Sequence, residues 1–147
     1  MLSDDEFAAL KRQLTSDEAR KSYLYDDATG KRITKGTTVI GHPTWGIGFD
    51  CDALDFTDDA IDAQFQAVLT RTINEIVAAL PWVAQLPSGP FRAIVDVAYN
   101  TGLNGLLEFH LMLGYAQKGD YLNAAQELIH SKLAPLRAQR LAALMRS

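Results

Sequence analysis

The sequence is poor in the features that mark specialised classes of protein. It has one cysteine, Cys51, so an intramolecular disulfide is excluded and folding needs no oxidising compartment. Its apolar stretches are too short and too interrupted to span a bilayer, which argues against membrane insertion. Residues 1–6 are acidic on balance and contain no apolar run, so we expect no secretory signal. The formal charge of -4 argues against a nucleic-acid partner.

Length and composition are those of one globular domain. The 147 residues are 48% hydrophobic and 22% charged, which is enough for a proper core. The charge is uneven, because a basic group of residues precedes an acidic run over residues 50–62. A basic rim would suit an anionic polymer, although solvated surface charge without a role explains each residue equally well. The basic group consists of Arg20, Lys21, Lys31, Arg32 and Lys35.

A helix is predicted at the start of the chain. Ser3 and Glu6 have the spacing of a capping box, in which each side chain bonds the backbone N–H of the other residue. Apolar residues follow at helical spacing, and continuing that spacing reaches Glu18. We therefore expect Glu18 on, or at the end of, a buried stripe formed by Phe7, Leu10 and Leu14.

The pattern changes over residues 23–49. This stretch carries six glycines or prolines among threonine, valine and isoleucine, which predicts two or three short antiparallel strands. Beyond it a helical repeat runs over residues 57–80 and is ended by Pro81. Further helices are predicted over residues 90–102, 106–117, 120–131 and 135–146.

These elements predict an α+β fold in a single domain, 1–147. A small N-terminal lobe with an antiparallel sheet (about residues 1–56) is joined by a long helix (57–80) to a helical C-terminal lobe (81–147). An all-helical regulatory or DNA-binding domain fails on the net charge and on the glycine-rich sheet region.

Two carboxylates, Glu18 and Asp27, lie nine positions apart where the pattern changes from helix to sheet. Cleavage of a sugar–sugar bond needs one carboxylic acid that donates a proton and one carboxylate that stays ionised. Partial burial and the negative end of the helix dipole would both raise the pKa of Glu18, whereas Asp27 would stay ionised in a polar turn. Residues 15–18 also resemble a capped helix start, in which case Glu18 is only a first-turn acid.

No metal or cofactor site is predicted. Asp50 and Asp52 begin like a calcium-binding loop, but the positions that follow lack the required ligands. His42, His110 and His130 are widely spaced, and no paired histidine or cysteine motif accompanies them, so a zinc site is not expected.

Several pieces of the sequence occur in the order of a known family. The N-terminal pieces are Asp17-Glu18, Tyr25, Asp27 and the T-W-G-I-G run that starts at Thr44. Residues 92–102 (RAIVDVAYNTG) and three later segments, 105–109, 119–125 and 137–141, continue the pattern. Together they resemble the phage-type lysozymes, the endolysins of glycoside hydrolase family 24, over nearly the whole chain.

The resemblance implies a lysozyme-like fold and a role for three residues in catalysis. By position, Glu18 is the general acid, Asp27 activates or positions a water, and Thr44 helps to hold that water. Tyr99 and Asn100 are candidates for contact with the substrate.

The resemblance also implies an activity. The protein would be a muramidase that cleaves the β-1,4 bond between N-acetylmuramic acid and N-acetylglucosamine in peptidoglycan glycan strands, with inversion and without metal or cofactor. We expect a monomer that stays in the host cytoplasm until it is released to the periplasm and cell wall for bacterial lysis. Asp26, which precedes Asp27, is expected to matter little.

One departure from the family pattern concerns the connection between Asp27 and Thr44. Sixteen residues intervene, more than in many members, and residues 28–42 are interpreted as an enlarged hairpin. The alternative function is a non-catalytic peptidoglycan-binding or phage baseplate-associated module that retains the lysozyme fold. Such a module would be free to lose Glu18 or Asp27, and both are present.

Overall fold

The computed structural model describes residues 3–17, 20–53 and 55–147, with the side chains of residues 16 and 17 excepted. Contacts divide the chain into two compact units, unit 1 (Met1–Thr57) and unit 2 (Asp58–Ser147). Unit 1 contains the first helix and a small sheet, and unit 2 contains the remaining helices. The α+β fold class is confirmed.

The first helix, α1 (Asp4–Asp17), begins at the predicted capping box. The Ser3 N–H donates to Oε2 of Glu6 over 2.7 Å, and the Glu6 N–H donates to the Ser3 hydroxyl over 3.3 Å. The backbone bond from Ser3 is the main reason that the pKa of Glu6 is lowered, because it favours the ionised form. The apolar stripe is not buried as expected: Phe7, Leu10 and Leu14 are 62%, 37% and 50% exposed.

Three short strands form the antiparallel sheet predicted for this region. They are β1 (Lys21–Asp26), β2 (Pro43–Gly46) and β3 (Phe49–Asp50), in the order β1-β2-β3. In the register between the first two strands, Tyr25 pairs with Thr44 and Asp26 with Pro43. Gly46 and Gly48 both have a φ of 67°, which lies in the left-handed region that favours glycine and permits the tight β2–β3 turn.

The long connection between β1 and β2 folds back on β1 as an enlarged hairpin. Arg32 forms an isolated antiparallel bridge with Tyr25. The Asp26 N–H donates to the carbonyl of Lys31 over 2.9 Å. The chain therefore returns beside its own starting strand before it enters β2.

Unit 2 is helical, in agreement with the predicted pattern. The helical geometry of α3 is interrupted at Gly102, where φ is 75° and ψ is 169°, so the predicted helix end at this glycine corresponds to a break within a longer helical segment. The elements are α2 (Asp58–Ala79), a short 3₁₀ helix (Pro81–Gln85), α3 (Ser88–Leu107), α4 (His110–Gln117), α5 (Tyr121–Ile129) and α6 (Pro135–Met145).

The core of unit 2 is built around α3. Asp96 on the outer side of this helix pairs with Arg137 and Arg140 of α6 over 3.4 and 3.1 Å, so α3 is held by both apolar and ionic contacts. The largest fully buried apolar side chains are Ile76, Val83, Ile94, Val97, Leu106, Met112, Leu128, Leu141 and Met145.

Of the helices that the structure describes, none is long and apolar enough to cross a membrane.

Candidate active site

Asp27 is the predicted site residue with the best-defined surroundings. It directly follows β1, its side chain is exposed, and its Oδ1 accepts a hydrogen bond from the N–H of His42 over 2.7 Å. The Asp27 N–H donates in return to the carbonyl oxygen of His42 over 3.1 Å. Within the described part of the chain, no hydrogen bond engages Asp27 Oδ2. One carboxylate oxygen is therefore oriented by the backbone, and the other stays open to a substrate or a water.

Thr44 lies next to this pair despite the sixteen residues that separate it from Asp27. It is 4% exposed, and its hydroxyl donates to the same His42 carbonyl over 3.1 Å. Because the hydroxyl proton is used in this bond, the Thr44 oxygen keeps its lone pairs for accepting a bond from another donor. The structure therefore brings Asp27 and Thr44 to one shared backbone group.

Sequence reasoning missed the part that His42 plays. Both the N–H and the carbonyl of His42 form hydrogen bonds at the site. Backbone contacts of this kind cannot be predicted from a side-chain motif. The only sequence signal is its place two residues before Thr44, directly before β2.

Asp26 is buried rather than peripheral. Its side chain is 1% exposed and accepts hydrogen bonds from the N–H groups of Ile40, Gly41 and Ala28 over 2.9, 3.0 and 3.0 Å. The Ile40 bond is the main cause that lowers the pKa of Asp26, with burial opposing it and the other two N–H bonds adding to it. The expectation that Asp26 matters little does not follow from this environment.

His42 also carries a side-chain cluster. Its Nδ1 lies 3.4 Å from Oδ2 of Asp52 and 3.9 Å from Oδ2 of Asp50. The hydrogen bond with Asp52 is the largest cause that raises the pKa of His42, followed by the charges of Asp50 and Asp27. The three side chains offer atoms within 4.8 Å of one another that could hold a metal ion. All three remain at least partly exposed, and the imidazole–carboxylate pairing accounts for their arrangement.

Comparison with known families shows which family this sequence matches. The family model for phage lysozyme matches residues 18–146. The chain belongs to the phage lysozyme family. A comparison with curated proteins gives no match. The matched region begins at Glu18 and contains Asp27, Thr44, Tyr99 and Asn100, so the predicted resemblance is confirmed over the part of the chain that carries the site. A lysozyme-type role follows, with peptidoglycan as the substrate that is hydrolysed.

The predicted general acid, Glu18, lies outside the described residues, so its role and its separation from Asp27 stay predictions.

Tyr99 and Asn100 lie on α3 of the lysozyme, shortly before the break at Gly102. The Tyr99 ring is 48% exposed and meets the Phe65 ring edge-on, with 5.7 Å between the centroids. Asn100 lines a cavity of about 520 Å³ whose other polar walls include Glu108. Both residues are positioned on a well-packed helix, and their contact with the substrate stays a prediction.

Proposed function

We propose that this lysozyme is a muramidase that hydrolyses the β-1,4 bond between N-acetylmuramic acid and N-acetylglucosamine, with inversion at the anomeric carbon. One observation carries the proposal. The backbone N–H of His42 donates to the Asp27 carboxylate, and the backbone carbonyl of His42 accepts the Thr44 hydroxyl. This arrangement presents one carboxylate oxygen of Asp27, just after β1, and the hydroxyl oxygen of Thr44, on β2, on either side of the His42 backbone. It fits a site that positions and activates a water.

In the proposed mechanism, Asp27 acts as the general base. A water that donates one hydrogen to Asp27 Oδ2 becomes more nucleophilic as its proton moves to the carboxylate. The Thr44 oxygen accepts the second hydrogen of this water, which orients a lone pair of the water towards the sugar. Glu18 protonates the leaving oxygen on the opposite side of the bond.

The stereochemistry follows from the position of the water. An inverting enzyme leaves room for a water between its carboxyl groups, so we expect the Glu18 and Asp27 carboxyl groups to stand roughly 6.5–9.5 Å apart. We also propose that the protein acts as a monomer and is held in the host cytoplasm until release to the cell wall.

Replacement of the two carboxylates tests the proposal. Glu18→Gln and Asp27→Asn should each lower the release of reducing ends from purified peptidoglycan by about 10²-fold or more, because an amide neither donates nor accepts the proton. Glu75→Gln serves as the matched control, since Glu75 is an exposed acid on α2 whose carboxylate lies 4.0 Å from Arg71. Proton NMR of the first product anomer distinguishes inversion from retention before mutarotation.

Two results would contradict the proposal. Activity of Glu18→Gln within a few-fold of wild type would remove Glu18 from the mechanism. A wild-type protein that binds peptidoglycan but releases no reducing ends would favour the non-catalytic module instead.

A further inference from the structure

Three consecutive backbone amides of the long connection donate to two adjacent carboxylates. The N–H groups of Ile40 and Gly41 donate to Asp26 over 2.9 and 3.0 Å. The next N–H, that of His42, donates to Oδ1 of Asp27 over 2.7 Å. The bond that orients Asp27 is therefore the third of a run whose first two members end on Asp26. We call residues 40–42 the amide run.

Asp26 joins the two ends of the long connection. Its Oδ1 accepts the N–H of Ala28, where the chain leaves β1, and also the N–H of Gly41, where the chain returns. Its Oδ2 accepts the N–H of Ile40. A carboxylate that is 1% exposed and accepts three backbone bonds can hold two chain segments in one geometry, because each of these bonds is charge-assisted.

The fit around the amide run leaves little room for adjustment. A Cβ on Gly41 would collide with Oδ1 of Asp27 and approach the Cβ of Ala28 to 2.8 Å. The backbone of the amide run thus passes directly against the Asp27 carboxylate. If the first two amides lose their acceptor, the His42 N–H loses the support that keeps it on Asp27.

We infer that Asp26 is a positioning residue for the hydrolysis. Its carboxylate holds the amide run so that the His42 N–H stays on Asp27 and the His42 carbonyl stays on the Thr44 hydroxyl. The catalytic part of this inference rests on the proposed function, whereas the placement of His42 does not. Asp26 acts through His42 and does not itself touch the reacting atoms.

The inference predicts an effect on turnover rather than on substrate affinity. A displacement of about 1 Å at a reacting group can cost on the order of 10²-fold in rate. KM should change little when only the water-activating carboxylate is misaligned, because that group acts on the water in the transition state rather than in binding of the polymer.

Asp26→Asn and Asp26→Ala in the full chain test the inference. Asparagine keeps one acceptor oxygen for Ala28 and Gly41 but opposes the Ile40 N–H with its own NH₂ group. Hydrogen exchange of the His42 amide, measured by NMR, reports the placement directly. We expect exchange at least about tenfold faster in Asp26→Asn, with kcat lowered about tenfold or more and KM within about twofold.

Asp120→Asn is the matched control, because Asp120 also accepts a backbone N–H, that of Asn123, but caps α5 in unit 2. It should leave both the His42 exchange rate and kcat near their wild-type values. If Asp120→Asn lost as much kcat as Asp26→Asn, the effect of Asp26→Asn would be explained by general destabilisation, which would contradict the inference.

The possible results separate the inference from the proposed function. A His42 amide that is as protected in both Asp26 variants as in wild type would overturn the inference, whatever the activity. Faster exchange with unchanged kcat would overturn its catalytic part. If wild type does not hydrolyse peptidoglycan, the proposed function and the catalytic part fail together, while the exchange rates still decide the placement. If Asp26→Ala does not fold, Asp26→Asn retains an acceptor and gives the answer.

Discussion

The N–H of His42 donates to Oδ1 of Asp27 over 2.7 Å, and the Asp27 N–H donates back to the His42 carbonyl oxygen over 3.1 Å. The two residues are fifteen positions apart, so this reciprocal pair closes the long connection against its own start. Thr44 donates its hydroxyl to the same carbonyl. The long connection therefore does not keep Asp27 and Thr44 apart, because both residues bond to the backbone of His42.

Gly41→Ala should lower the catalytic rate by displacing groups at the proposed site. The added methyl group would occupy the space of the Asp27 carboxylate oxygen, so the carboxylate or the amide run has to move. We expect kcat on peptidoglycan to fall by about tenfold to 10²-fold while the far-ultraviolet circular dichroism stays near that of wild type.

Gly114→Ala is the matched control for this substitution. A Cβ at Gly114, inside α4, meets nothing within 4 Å. Alanine should therefore leave kcat unchanged and stabilise the helix by about 0.5–1 kcal/mol in urea unfolding. Full activity of Gly41→Ala would show that the Asp27 carboxylate does not need its present position.

Thr44→Val tests the hydroxyl at constant shape. Valine removes both the donor to the His42 carbonyl and the oxygen that is proposed to hold the water, so activity should fall strongly. Stability should fall by about 1 kcal/mol for the lost hydrogen bond, measured by urea unfolding. Thr44→Ser keeps the hydroxyl and should retain most of the activity. If Thr44→Val retained most of the activity, the hydroxyl would not be what the site requires.

The helices of unit 2 could be predicted from the sequence because their signals are local. Pro81 and Pro135 mark boundaries, and the apolar residues repeat at helical spacing over whole elements. The break at Gly102 was expected as a helix end, since a glycine with positive φ stops the regular helix. The helix continues after this glycine to Leu107, and Leu106 in this continuation is fully buried in the core.

The site was predictable only in its side chains. Asp27 and Thr44 stand out because their residue types match a family pattern, but their adjacency depends on backbone bonds across fourteen and fifteen positions. Aspartate at position 26 is the residue type expected in a solvated turn. Asp26 is buried because the long connection folds back over it and donates the Ile40 N–H to its carboxylate. Backbone N–H groups are present at almost every residue, so sequence cannot indicate which of them a carboxylate will select.

The His42–Asp52 pair should make the stability of unit 1 depend on pH. The pKa of His42 is raised above its ordinary value of 6.5, chiefly by the hydrogen bond with Asp52. A group with a raised pKa in the folded state stabilises fully below its unfolded pKa, and this contribution is lost as the pH rises through the folded value. Wild type should therefore exceed Asp52→Asn in Tm most clearly at about pH 5, and the difference should shrink towards about pH 9.

Asp5→Asn on α1 is the control for the loss of one exposed aspartate. It should give no difference in Tm that depends on pH in this range. A gap between wild type and Asp52→Asn that grows with rising pH would contradict the assigned direction of the His42 shift.

The exposed cations of the long connection should act on encounter with the polymer. Lys31, Arg32 and Lys35 are all exposed, and Arg32 lies over the Tyr23 ring at 5.0 Å from its centroid. Their charges can attract the carboxylates of peptidoglycan, and such attraction is screened over about 8 Å at physiological salt. Replacement of all three cations by serine should therefore slow lysis at low ionic strength and have little effect at high salt.

A triple replacement of Arg71, Lys118 and Arg146 by serine makes the same change in net charge on exposed positions of unit 2. The comparison separates a local effect of the long connection from the effect of total charge, which both variants share. Turbidity assays on cell walls across a salt series provide the measurement, and thermal unfolding checks that neither variant has lost stability. We expect the steeper salt dependence of wild type to disappear only in the first variant. An equal loss at every salt concentration would mean that the three residues shape the site, and identical behaviour of the two variants would make the cations ordinary surface charge.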